Sequence, residues 1–364
     1  MKVVLLEPYF TGSHKQWALG LQQHSNFEVE IISLTGHYWK WRMHGGAIAL
    51  AEQYNNINYT PDLLLATSMV NLPVFLSLTN VQQQGVKTSI YFHENQITYP
   101  WSPTDRDVAN KRDNNYGFIN YTSALAANKV LFNSQYHKQS FLTALPNFLK
   151  QFPDNNGLHN VKIIEDKSTV LPLGMDLKRF DAHQHDECEK YGTILWNHRW
   201  EYDKNPEQFF NVLYELANRG IKFNLIVLGE NFSQQPKIFD EAKEKLQAQI
   251  IHFGYADTFE QYAQLLWKAD LFPVTSNQDF FGGSVVEAMY CNCVPLLPKR
   301  LAYPEHIPAE LHQTFFYNDE DDLVNRLQRQ LLNLPLIRKQ NVQQFVSRYD
   351  WGNLGEEYDL ALKA

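Results

Sequence analysis

Short runs rich in β-branched residues alternate with stretches of helical periodicity along nearly the whole chain. That alternation builds parallel sheets whose strands are joined by crossover helices. In the first half, strands are expected at Val3–Leu6, Val29–Ser33, Leu63–Thr67, Ser89–Phe92 and Val130–Phe132, with helices at Asn115–Ala127 and Tyr136–Leu145. Gln151 to Lys167 is polar with few apolar anchors, and Val170–Leu173 reads as one more strand. Asp181 to Tyr191, rich in His, Asp and Glu, reads as a linker. Strands then restart at Thr193–Trp196, Phe223–Leu228, Ile250–Phe253, Leu271–Val274 and Val294–Leu297. Helices are expected at Pro206–Asn218, Lys237–Gln247, Phe259–Ala269, Gly283–Cys291, Asp322–Asn333, Leu336–Tyr349 and Leu354–Leu362. At 364 residues, the expected organisation is two α/β domains, 1–180 and 181–345, followed by a C-terminal helix within 346–364. Open α/β sheets bind ligands at the carboxyl ends of their strands, so two such domains facing each other would make a cleft.

Charge and cysteine content bound the function. A net charge of −8 argues against a general nucleic-acid coat while leaving room for a local basic patch. Three cysteines, Cys188, Cys291 and Cys293, make no disulfide framework and point to a reducing compartment. The chain enters a strand-like run at Lys2 without an apolar signal region, and no apolar run reaches the ~20 residues of a membrane span. A cytoplasmic protein without stable membrane association is expected.

The densest chemistry lies in Asp279-Phe-Phe-Gly-Gly-Ser-Val-Val-Glu287. Gly282 and Gly283 let a bound group approach the backbone at a helix start, where unpaired N–H groups suit an anion. The two acids cannot hold a phosphate, but they accept hydrogen bonds from hydroxyls. A ligand with both hydroxyls and phosphate is a nucleotide sugar. As bare residues, Glu287 could be a solvated helix acid and Asp279 a helix-start acid, but their apolar neighbours Phe280, Phe281, Val285 and Val286 speak against a solvated face.

Other candidates follow strands. Thr11-Gly12-Ser13-His14-Lys15 opens the first helix and could approach a phosphate, though an ordinary βα turn accounts for it equally. His93-Glu94-Asn95 follows the fourth strand and reads as a functional loop or a capping turn; His93 could hydrogen-bond a sugar hydroxyl or the forming glycosidic oxygen. Arg199 and Lys204, in Asn197-His-Arg-Trp-Glu-Tyr-Asp-Lys-Asn-Pro206, could neutralise a departing pyrophosphate; alone they would read as a solvated loop. His37-Tyr-Trp-Lys-Trp-Arg-Met-His44 interleaves aromatics and cations in what reads as a loop after the second strand. Trp39, Lys40, Trp41 and Arg42 could stack on splayed RNA bases, or the aromatics could face the core. Tyr99, Trp101, Arg106, Lys111 and Arg112 could extend that surface. Asp105-Arg-Asp107 and Asp319-Glu-Asp321 look like metal sites but lack further oxygen ligands nearby. His183-x-His185-x-x-Cys188 reads as solvated linker rather than a zinc site, and Cys291-x-Cys293 as buried packing.

Taken together, Arg199, Lys204 and Asp279-x7-Glu287, with Leu173-Gly-Met-Asp176 ahead of Phe180, resemble the retaining glycosyltransferases of family 4. That family usually has Glu at the first acid position, where this chain has the shorter Asp279. The resemblance narrows at Glu7-Pro-Tyr-Phe-Thr-Gly-Ser-His-Lys-Gln16, Tyr91-Phe-His-Glu-Asn-Gln96, Phe280-Phe-Gly-Gly-Ser-Val-Val-Glu-Ala-Met289 and Tyr290-Cys-Asn-Cys-Val-Pro295, which look like the tRNA-queuosine α-mannosyltransferase family. It implies the α/β GT-B fold, two Rossmann-like domains facing across a cleft, the first for the acceptor and the second for the nucleotide sugar, with the final helix packing back on the first. It also implies mannose transfer from GDP-mannose to queuosine in an aspartate tRNA, with retention. Glu287 would hold the ribose, Asp279 and the backbone at Phe281, Gly282 and Gly283 the sugar, and Gly12 and Ser13 the diphosphate. Catalytic roles fall to His93, Arg199, Lys204 and Asp279, and acceptor contacts to His14, Glu94, Asn95 and the aromatic–cation segment. No cofactor and no metal is expected, because Arg199 and Lys204 supply the charge. The alternatives are another acceptor such as a surface glycan or lipid, a non-catalytic RNA-binding protein on the same fold, and a nucleotide-sugar epimerase.

Overall fold

The computed structural model describes residues 1–102, 105–109, 114–184, 189–229 and 236–363. The chain forms two compact units, 1–176 with 349–364, and 177–348. The first is built on strands β1 (Lys2–Phe10), β2 (Glu28–Thr35), β3 (Leu63–Thr67), β4 (Lys87–Phe92), β5 (Lys129–Phe132) and β6 (Ser168–Val170). They form one parallel sheet in the order β2-β1-β3-β4-β5-β6. Leu63 to Thr67 is wholly buried, as expected of a strand covered on both faces. The second unit carries β7 (Thr193–Asn197), β8 (Asn224–Leu228), β9 (Ile250–Gly254), β10 (Leu271–Pro273), β11 (Val294–Pro298) and β12 (Phe316–Tyr317). Its parallel order is β12-β11-β10-β7-β8-β9.

Strand order locates the sites. In the second sheet, successive strands run outward from β7 in one direction and resume from β10 in the other, so the switch lies between β7 and β10. In the first sheet it lies between β1 and β3. Loops leaving the carboxyl ends at a switch diverge to opposite faces and leave a crevice between them.

Several elements differ from the sequence expectation. The second unit begins at Leu177 rather than within 181–191, since Phe180 is fully buried with its ring against Phe259, Tyr262 and Tyr290. The segment from His37 to His44 is not a loop: a helix spans Trp39–Tyr54, fixed by buried Met43, Ala47 and Leu50. The helix expected to stop at Leu145 runs through Pro146 to Leu149, because Phe148 and Leu149 are buried. The expected helix Leu336–Tyr349 breaks into Leu334–Ile337, Gln343–Val346 and a short turn at Ser347–Tyr349. There Asn341 accepts from the Gln344 N–H, a local bond that competes with helix continuation. Within the polar stretch 151–167, a helix Asn160–Asp166 is anchored by fully buried Ile164. β12 is two residues long, too short for any periodicity to announce it.

Candidate functional site

In the second unit, the loops after β7 and β10 are bonded to each other at the switch. The Asn277 N–H donates to the Asp203 carbonyl at 2.7 Å, and the Thr275 hydroxyl donates to the Lys204 carbonyl at 2.9 Å. This brings Lys204 beneath Asp279. The ammonium, almost fully buried, lies 3.0 Å from Asp279 Oδ1 and 3.2 Å from Asp203 Oδ2, and donates to the Gln278 carbonyl. The Tyr303 hydroxyl donates to Asp279 Oδ2 at 2.5 Å. Burial works to raise the Asp279 pKa, but the Lys204 ammonium and the Tyr303 hydroxyl outweigh it and hold it below the usual carboxylate value. Asp279 is therefore a fixed anion that accepts hydrogen bonds.

Glu287 lies one helix further in, on Gly283–Tyr290. Its Oε2 accepts from the Tyr262 hydroxyl at 2.6 Å, and Tyr262 accepts in turn from Asn197 at 2.8 Å. Arg179 stands 3.5 Å from Oε1. Desolvation outweighs these partners and raises the Glu287 pKa. Gly282 precedes the helix at φ +86°, and the Phe281 carbonyl is held by His306 Nε2 at 2.6 Å, so this turn is pre-shaped. Arg199 is half exposed and pairs with Glu201 at 3.3 Å. The structure therefore brings Lys204 and Asp279 into contact, and sets Arg199 at the surface of the same loop.

His198 joins the same cluster, a placement that motif reading gave no sign of. It is buried and bonds Ser284 through Nδ1 at 3.2 Å, while its buried Nε2 has no hydrogen-bond partner. Burial, reinforced by Lys204 and Arg199 against the opposing pull of Asp279, brings its pKa down to about 3, so it is a neutral imidazole. A Cβ on Gly229, which follows β8, would stand 2.0 Å from the His198 carbonyl, so only glycine fits there. Tyr262, Tyr303, Asn197 and Arg179 were likewise missed. Their separations from the acids in sequence follow no period, and the fold alone assembles them.

In the first unit, the switch between β1 and β3 holds a polar cluster. His14 is on the helix Gly12–His24, Ser68 follows β3, and His93 and Glu94 follow β4. Fully buried Glu7, on β1, completes it. His14 Nδ1 is 3.0 Å from Glu7 Oε2 and its Nε2 is 3.0 Å from Glu94 Oε2. Ser68 donates to Glu94 Oε1 at 2.7 Å, and the Tyr9 N–H donates to Glu7 Oε1 at 2.8 Å. Burial disfavours a charged His14, but Glu7 and Glu94 outweigh it and raise its pKa well above the ordinary value. His93 is the reverse case: burial, with His14 and His137 beside it, pushes its pKa well down. Glu7, His14 and His93 bring potential metal-ligand atoms within 4.8 Å of one another. A His14 that donates from both ring nitrogens has no lone pair left for an ion.

The remaining candidates separate clearly. Gly12 and Ser13 are exposed at their helix start, with Gly12 at φ +51°. Asn95 is buried and caps its own turn, accepting from the Ile97 and Thr98 N–H groups at 3.1 and 3.0 Å. Trp39 packs on Trp101 and Tyr116, and Lys40 is gripped by Asp105 and Asp107 at 2.6 and 2.5 Å. That grip accounts for the Asp-x-Asp pattern there, while Asp319 caps the helix Glu320–Leu331. Trp41 is 63% exposed, its ring lying over the Gly45 backbone, and Arg42 donates to the Thr35 carbonyl and hydroxyl. Cys291 and Cys293 are free and buried. Lys111, Arg112, His185 and Cys188 lie outside the described residues.

The sequence profile described as tRNA-queuosine alpha-mannosyltransferase N-terminal matches residues 2–175, and that described as glycosyl transferases group 1 matches 178–346. A tRNA-queuosine alpha-mannosyltransferase of Drosophila melanogaster is 32% identical over 360 residues, spanning 96% of this chain and 92% of the relative. Among solved structures, sucrose-phosphate synthase from Thermosynechococcus elongatus superposes with a TM-score of 0.72 at 14% identity, covering 100% of this chain and 98% of the other. HepE of Anabaena in complex with UDP-glucose gives 0.67 at 14% identity, covering 100% and 99%. At such identities the likeness concerns the fold, which is GT-B.

Proposed function

This chain belongs to the tRNA-queuosine α-mannosyltransferase family, and on that basis we propose that it moves mannose from GDP-mannose to queuosine in the anticodon of an aspartate tRNA, with retention of anomeric configuration. The observation that carries the reading is the meeting of Lys204, Asp279 and Tyr303 at the β7–β10 switch, with Glu287 and Tyr262 on the adjoining helices. A buried cation beside an ionised acid suits a diphosphate sugar: the cation answers the leaving phosphate and the acid accepts from a sugar hydroxyl.

In the proposed reaction the acceptor hydroxyl oxygen forms a bond to the anomeric carbon on the face from which the diphosphate departs. The bond between that carbon and the phosphate oxygen breaks, and the departing phosphate oxygen takes the hydroxyl proton. Lys204 and Arg199 stabilise the charge that gathers on the leaving group. Asp279 orients the sugar, with the backbone of Phe281, Gly282 and Gly283 alongside. Glu287, held by Tyr262, receives the ribose hydroxyls, and Gly12 and Ser13 offer backbone N–H groups to the diphosphate. His93 is a neutral imidazole suited to a hydrogen bond with the sugar. The two cations make a metal ion dispensable, so transfer is expected to persist in excess chelator. No helix among the described residues is long and apolar enough to cross a membrane, in keeping with the proposed cytoplasmic site of action.

The test is mass spectrometry of nucleosides from queuosine-containing tRNA incubated with the protein and GDP-mannose. A hexose added to queuosine is the expected product; binding of GDP-mannose without transfer would move the acceptor elsewhere. Arg199→Ala should slow transfer by roughly 10²-fold, the scale of losing one electrostatic donor to a transition state. Unchanged turnover would remove the phosphate assignment of Arg199. Trp41→Ala should weaken tRNA binding by about 1–3 kcal/mol, the worth of one stacked base, and leave GDP-mannose affinity as it was. Trp39→Ala should instead lower stability, because that ring packs on Trp101 and Tyr116.

A further inference from the structure

Glu7, His14 and Glu94 form a line with one closed end and one open end. The Glu7 side chain is 0% exposed, that of His14 8% and that of Glu94 17%. Glu7 and Glu94 meet the two ring nitrogens of His14 at 3.0 Å each and together hold its pKa well above the ordinary value, so the imidazole donates from both nitrogens and carries a positive charge. With both carboxylates accepting, the three groups carry one net negative charge, and Glu94 is the more exposed of the two acids. Ser68 fixes the other oxygen of Glu94 from the loop after β3. A second, independent observation marks the same place as a ligand position. His93 is more than nine-tenths buried, its ring centroid lies 4.2 Å from that of His14, and its Nε2 lacks a hydrogen-bond partner.

We propose that Glu94 is the hydrogen-bond acceptor for a hydroxyl of the acceptor substrate, and that His14, anchored by Glu7, is the positioning residue that holds Glu94 in place. The proposal rests on the glycosyl-transfer reading above. A carboxylate suits this task because it accepts from a second hydroxyl of the acceptor and so aims the attacking hydroxyl at the sugar, leaving the attacking group's own proton for the departing phosphate. A charged His14 fixes one rotamer of Glu94. A neutral His14 can donate to one carboxylate at a time and leaves the other repelled. The groups around His14 are Glu7 and Glu94, the His93 ring, Tyr9 edge-on at 5.8 Å and the Ser68 hydroxyl beyond Glu94, with His137 acting on His93.

The signature is a pH profile. With the folded His14 pKa raised, the positioning charge is fully present below the ordinary histidine value and is lost as pH rises through the raised one. Transfer at subsaturating tRNA should therefore fall on an alkaline limb. Glu7→Gln keeps the shape of the buried side chain but removes one charge, and should draw that limb down by about one pH unit or more, the scale of one neighbouring charge. The KM for GDP-mannose should stay within twofold, while Glu94→Gln should raise the KM for tRNA at every pH. Nuclear magnetic resonance of ¹⁵N-histidine in the full chain reads the same titration without turnover, and thermal melting of each variant monitors folding. An unmoved limb in Glu7→Gln, or a His14 that titrates at the ordinary value in the unaltered protein, overturns this inference and leaves the reaction standing. Absence of hexose transfer by the unaltered protein overturns the reaction and this inference with it.

Discussion

Lys204→Ala should abolish measurable transfer and destabilise the fold together. The Lys204 side chain is 8% exposed and its ammonium faces two carboxylates, Asp203 and Asp279, whose side chains are 1% and 17% exposed. Removing it leaves both acids without their cation, and breaking a buried pair by deleting one partner costs about 3–5 kcal/mol. The Asp279 pKa, held down by Lys204 against the effect of burial, should rise. Turnover should fall by ~10³-fold or more, because the cation for the leaving group and the anchor for the sugar-binding acid disappear at once. Lys204→Met combined with Asp279→Asn separates the two effects. Neutralising the stranded acid should recover part of the stability by chemical denaturation and none of the transfer rate. Recovery of transfer would show that neither group takes part in the chemistry.

The second large effect is on the C-terminal helix. Trp351→Ala should cost ~3–5 kcal/mol, the usual range for truncating a buried aromatic. Trp351 is 2% exposed and lies against two glycines: a Cβ on Gly20 would stand 1.9 Å from the indole Nε1, and one on Gly174 2.7 Å from Cε2. On the same helix, Trp351–Lys363, the Tyr358 hydroxyl receives Trp17 Nε1 at 2.9 Å and donates to the Pro172 carbonyl at 2.7 Å. Trp17 stacks on Tyr91 at 4.6 Å and meets His93 edge-on at 4.7 Å. Loss of Trp351 should therefore lower the denaturation midpoint of the first unit and reach the His93 pocket through Trp17. An unchanged midpoint would mean that the helix contributes nothing to this unit.

The periodicity of β-branched runs and helices was enough to place eleven of the twelve strands among the described residues to within a few residues. It worked because parallel strands covered on both faces are apolar along their centres, as in Leu63–Ala66 and Ile194–Trp196. It failed where tertiary contacts outweighed local preference, as at the helix that passes through Pro146 to bury Phe148 and Leu149. Asp279, Glu287 and Lys204 could be singled out as candidates because each stands in a short motif after a strand. Their partners were not, because Tyr303 and Tyr262 come from separate elements with ordinary local sequence.

The aromatic–cation segment, His37 to His44, shows the same division within eight residues. Sequence alone could not separate Trp39 from Trp41, or a stacking cation from a paired one. Helical geometry turns Trp39 onto Trp101 and Tyr116, leaves Trp41 outward and delivers Lys40 to Asp105 and Asp107. By itself the sequence determined the α/β class, the strand sequence and the principal acids and cations, because apolar period and motif spacing are local properties. The strand order, the charge of His14 between Glu7 and Glu94, and the depressed pKa of Asp279 beside Lys204 were decided by the tertiary structure. Burial and the approach of charges distant in sequence set those energies, and neither is written in any one segment.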